Sequence, residues 1–159
     1  MARHYEPPSD FLKAITAGTL PLSGSEAGDA NLRHLIVMMA DADRDNRDWA
    51  TFLLAQEEID TLMVHDALLR SAGDEDEVVR AEAISGLAKR DPALALPLVQ
   101  QALRGDTAVF PLLEAAALCA HPSLIADLRV WAEHSSEPFI DRMAAEALEA
   151  CEKAASDES

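Results

Sequence analysis

Asp74-Glu75-Asp76-Glu77-Val78-Val79-Arg80-Ala81-Glu82-Ala83-Ile84-Ser85-Gly86-Leu87 decides the fold, because its skeleton has already occurred once upstream. Asp41-Ala42-Asp43 is followed by Arg47, Ala50 and Leu53-Leu54, as Asp74-Glu75-Asp76 is followed by Arg80, Ala83 and Gly86-Leu87. The two arginines stand 33 residues apart. A fixed period of about 20 to 50 residues is the mark of stacked supersecondary units. Fainter echoes follow. Asp106 precedes Leu112, Ala115 and Leu118, and Arg142 precedes Ala145 and Leu148, so the slots 47, 80, 112 and 142 step by 33, 32 and 30 residues.

The physics of the phrase is helical. Asp41, Asp43, Asp74, Asp76 and Asp106 stand where a carboxylate caps a helix N-terminus and complements its dipole. Arg80, one turn inside, is placed to reach the aspartate of a neighbouring unit. Ala83 and Gly86 allow close helix approach, and Ile84 and Leu87 form an apolar stripe at i, i+3 spacing. These aspartates and arginines are read as structural.

Residues 30–153 resemble HEAT repeats, in the short bacterial or lyase-type form. The likeness is strongest at 74–104, where the phrase leads into Asp91-Pro92 and Ala95-Leu96-Pro97-Leu98. Asn46 replaces the usual valine before Arg47, and Leu112 replaces the third arginine. The resemblance implies an all-α chain, an α-solenoid of about four stacked antiparallel helix pairs. It also implies that the second helix of each pair lines an inner face, exposing side chains that no unit needs for folding. On those helices the candidates for partner binding are Met63, Asp66 and Arg70, then Gln100, Gln101 and Arg104, then Asp127 and Arg129.

Length and composition agree with one helical domain. The chain has 159 residues, 49% of them apolar but only 4% aromatic, and it shows no period-2 alternation. Residues 1–29 are expected to form a tail, a short helix ending at Gly18 and a loop over 19–29. The repeat domain spans 30–154, with helices near 30–40, 45–57, 61–72, 77–89, 93–104, 107–119, 123–133 and 137–154. Pro92, Pro122 and Pro138 sit at helix starts, and Pro97 and Pro111 fall within about the first turn of theirs. Residues 155–159 are read as a fraying tail. With no apolar run of membrane length and no signal-peptide pattern, the expected compartment is the cytoplasm.

Net charge is −16, from 29 acidic and 13 basic residues. Phosphate backbones need an excess of Lys and Arg, so nucleic acid is not expected as a partner, although some HEAT-like proteins are DNA glycosylases with a basic concave face. Acidity favours a basic protein partner or simple solubility. Cys119 and Cys151 read as buried free thiols near helix ends. His34, His65, His121 and His134 lack ligand spacing, so no metal is expected. No nucleophile elbow, phosphate loop or zinc-protease motif occurs. Glu114 is the odd carboxylate, flanked by Leu112-Leu113 and Ala115–Ala117, and it reads as the polar stripe of an apolar helix or as a half-buried acid. The resemblance admits bilin lyases, whose stacks are longer, but no residue marks a bilin site.

The expected function is therefore a non-catalytic scaffold or adaptor for a protein partner, without a cofactor. An acidic inhibitor or immunity-type protein for a basic enzyme is the first alternative. A lyase-like or small-ligand protein is the second. The oligomeric state is not legible.

Overall fold

The computed structural model describes residues 6–133, 135 and 137–158. His134 lies outside them. Among the described residues every regular element is helical: α1 (Asp10–Thr16), α2 (Glu26–Met38), α3 (Arg44–Gln56), α4 (Leu62–Ser71), α5 (Glu77–Arg90), α6 (Pro92–Leu103), α7 (Phe110–Cys119), a 3-10 turn (Pro122–Leu124), α8 (Ile125–Trp131) and α9 (Pro138–Asp157). The chain is all-α. Its contacts divide it into two compact units, Met1–Ala83 and Ile84–Ser159.

In the first unit, side-chain oxygens start four helices. Ser9, Ser25, Asp43 and Thr61 accept from backbone N–H groups in the first turns of α1 to α4, which would otherwise lack acceptors. α2 begins at Glu26, inside the stretch that the sequence assigned to a loop. Gly28 explains the difference: its N–H meets Ser25 Oγ at 3.0 Å. A Cβ at Gly28 would stand 2.7 Å from the Ser23 carbonyl oxygen, so the closeness of the chain here requires glycine. α3 packs against α1, α2 and α4. Leu12, Leu35, Leu54, Val64, Leu68 and Val79 are fully buried, each contributing about 1.5–3 kcal/mol relative to exposure.

The two aspartate-rich turns of this unit share one hydrogen-bond pattern. Asp41 Oδ2 accepts from the Asp43 N–H at 3.0 Å, and Asp74 Oδ1 from the Asp76 N–H at 2.9 Å. Asp43 Oδ1 accepts from the N–H groups of Asp45 and Asn46, and Asp76 Oδ1 from those of Val78 and Val79. Arg47 Nη1 donates to the carbonyls of Asp41 and Ala42, and Arg80 Nη1 to those of Asp74 and Glu75. Each arginine thus folds back on the turn that opens its own helix. Arg47 also reaches the next turn, with Nε 3.0 Å from Asp74 Oδ2 and Nη2 3.5 Å from Oδ1. Arg44 grips Asp76 alongside, at 2.9 and 3.3 Å. The period holds in burial too, since Ala50 and Ala83, and Leu54 and Leu87, are all fully buried.

In the second unit α9 packs on α7 and α8, and α6 packs on α7. Leu87, Val99, Leu113, Leu124, Leu128 and Cys151 are fully buried there. α7 starts three residues later than the sequence suggested, behind Val109 as N-cap and with Pro111 in its first turn. Asp106 is exposed and does not cap it. Pro97 lies inside α6, beyond the first turn, where it removes one helical hydrogen bond. The fourth echo does not share the repeat geometry. Arg142 is exposed, with its guanidinium 5.5 Å from the Phe139 ring centroid. Ala145 is exposed too, because α9 buries Ala144, Ala147 and Cys151 instead.

Candidate interaction surface

α2 and α4 frame an open groove of roughly 400 Å³ within the first unit. Ile36, Val37 and Ala40 come from α2 and the turn after it, and Ala67, Arg70 and Asp74 from α4 and the turn after it. The helical period explains the floor and the rims. On α2, Leu32, Leu35, Met38 and Met39 fill the buried arc, and steps of 100° per residue leave Val37 outside it, 69% exposed. On α4, Val64, Ala67, Leu68 and Ser71 are buried, Arg70 lines the groove, and Met63 lies two turns earlier on the same exposed side of the helix. Met63 is 45% exposed. Apolar side chains left in water beside a groove add apolar area that a bound partner would cover.

Of the residues read from the sequence as partner-binding, Met63, Asp66 and Arg70 thus lie together on the exposed side of α4. In the second unit Gln100, Arg104 and Asp127 are tied to neighbours. Gln100 Nε2 donates to Ser123 Oγ at 2.8 Å, and Arg104 Nε stands 3.4 Å from Asp127 Oδ2. Gln101 and Arg129 are exposed. Sequence reasoning missed the α2 wall. Its signal was present: Met38-Met39 already satisfies the core, so the valine before them has to face elsewhere.

The guanidinium groups of Arg33 and Arg70 make no ion pair or hydrogen bond among the described residues, and both are exposed. Arg33 lies one turn before Ile36 and Val37, on the groove's α2 edge. The other described arginines of this unit are engaged: Arg44 and Arg47 with aspartates, Arg80 with carbonyls.

The remaining titratable groups are structural in setting. The hydrogen bond from Arg44 holds the Asp76 carboxyl below its ordinary range, helped by the Val79 and Val78 N–H groups and opposed by burial. The Asn46 amide and the Asp43 N–H lower Asp41 similarly. Glu114 is half-buried, accepts from Ser85 Oγ and stands 3.7 Å from Lys89 Nζ. Burial pushes the Cys119 thiol up to about 11, with the nearby Cys151 adding to it, and burial also raises Cys151. Neither is therefore a thiolate near neutral pH. Cys119 closes α7 but is only half-buried, and Cys151 sits well inside α9 instead of near its end. Among the described residues no group of three or more His, Cys, Asp or Glu side chains is placed to hold a metal. No helix there is long and apolar enough to cross a membrane.

No protein-family model matches the chain, and no curated protein does. Among solved structures, the crystal structure of Escherichia coli YibA is similar, with TM-score 0.59 and 23% identity over 86% of this chain. The chain spans 54% of that protein, about half its length. This likeness is one of fold.

Proposed function

We propose that the protein is a non-catalytic interaction module of the cytoplasm, a short acidic stack of about four HEAT-like helix pairs that docks a protein partner. The observation that carries this is the α2–α4 groove, where Val37 is held in water by a helix whose core face is already filled, with Met63 exposed on the same side of α4 as the groove-lining Arg70. The repeated Asp–Arg turns support the stacked reading, because each closes its own helix start and the first reaches the second. A second reading, an acidic inhibitor of a basic enzyme, draws on the net charge of −16 and places the contact on exposed carboxylates instead of the groove. The test is affinity purification from source cells with wild type, Val37→Asp and Met63→Asp, at low and moderate salt. The module reading expects a stoichiometric protein that survives moderate salt and is lost with either variant, at unchanged helicity. A partner retained by both variants and released by salt supports the inhibitor reading. Recovery of no partner refutes both.

A further inference from the structure

We infer that the α2–α4 groove takes an amphipathic segment of a partner protein that brings carboxylates alongside its apolar side chains, with Arg33 and Arg70 as their receptors; this rests on the module reading above. The charge pattern carries it. Acidic residues outnumber basic ones 29 to 13 in this chain, so a guanidinium has carboxylates in plenty to choose from. Arg44 and Arg47 take theirs, at 2.9 and 3.0 Å. Among the described residues Arg33 and Arg70, on the two helices that wall the groove, do not.

Their nearest carboxylates in sequence do not serve them. Asp29 precedes Arg33 by one turn and Asp66 precedes Arg70 by one turn, and neither forms an ion pair among the described residues. Asp74, one turn after Arg70, is bound by Arg47 and by the Asp76 N–H. Arg70 therefore lines the groove beside the apolar Ile36, Ala40 and Ala67, and Arg33 stands one turn before Ile36 and Val37 on the helix of the other wall. Guanidinium binds carboxylate through paired N–H donors, and an amphipathic helix laid in a groove presents side chains at i, i+3 and i+4. A segment with an apolar stripe bordered by Glu or Asp satisfies both walls at once. A basic segment, the partner that overall charge suggests, would leave both guanidinium groups without a counter-charge and find Asp29 and Asp66 beside them.

The test is selection of random peptides displayed on phage against the intact protein, followed by binding of the enriched peptides to wild type, Arg33→Glu and Arg70→Glu. Both side chains are exposed and have no partner among the described residues, and unchanged melting of the variants confirms that folding is intact. The expected result is enrichment of peptides combining apolar and acidic residues. Affinity falls about tenfold or more in Arg70→Glu, equivalent to about 1.4 kcal/mol, and returns when the peptide's acidic residue is changed to Lys. Basic peptides, or peptides indifferent to both variants, overturn the inference while leaving the module reading standing. Absence of enrichment overturns both. A wild-type dimer in sedimentation that Val37→Asp splits also overturns the inference, by assigning the groove to a second copy of this chain.

Discussion

Arg47 and Asp74 form a two-pronged ion pair across 27 residues of sequence, with both side chains nearly buried at 11% and 10% exposure. The same arginine holds the Asp41 and Ala42 carbonyls. One guanidinium therefore closes the turn before its own helix and locks the next turn to it.

Removing that guanidinium strands a nearly buried carboxylate and two carbonyls. Arg47→Ala is expected to destabilise by roughly 2–3 kcal/mol in chemical denaturation. Glu75 also approaches Arg47, at 3.6 Å, but is 89% exposed, so Glu75→Ala should stay within about 0.5 kcal/mol. Equal losses for the two variants would show that burial does not govern the pair.

Asp76 gives a pH dependence with a definite sign. Its folded carboxyl is held below the ordinary 3.8 by Arg44 first. Its contribution is full above that value and fades as the pH falls through the lower folded value. Asp76→Asn should therefore flatten the acid limb of stability against pH below about 3.8. An unchanged acid limb would place the acid sensitivity on other carboxylates.

Ala120 ends α7 in the left-handed region, at φ 45° and ψ 50°. A Cβ is strained there and glycine is not. Ala120→Gly is expected to stabilise by about 0.5–1 kcal/mol, raising the thermal midpoint. A lowered midpoint would show that the methyl packs usefully.

Gly28 makes the opposite case. Alanine is the better helix former by about 0.8–1 kcal/mol, but its Cβ would meet the Ser23 backbone at 2.7–2.9 Å. Backbone does not yield cheaply, so Gly28→Ala should destabilise by about 1–3 kcal/mol. A stabilised variant would mean that the 19–25 loop moves freely away.

The first unit's repeat was legible in the sequence because side chains there bond to backbone at fixed offsets, and Asp41/Asp74 and Arg47/Arg80 keep those offsets. Arg142 was misleading for the same reason: its spacing matches, but α9 buries Ala144 and Ala147, one face round from Ala145. The start of α2 was hidden because Gly24 and Gly28 look alike in sequence, although one has φ 83° in a turn and the other lies within a helix. One groove-lining side chain, Arg70, stood among the residues singled out in the sequence. Met63, Asp66 and Arg70 were visible as an outward face of α4, but an apolar Val37 between Ile36 and Met38 reads as core until the core is seen to be full.

Photo-crosslinking in the source cells tests the central claim, that the α2–α4 groove is a protein-docking surface. A photoreactive residue in place of Val37 is compared with one in place of Ala145, on the exposed side of α9. The account predicts a discrete crosslinked protein from position 37 and none from position 145. No crosslink at 37, or the same products from both positions, would contradict it.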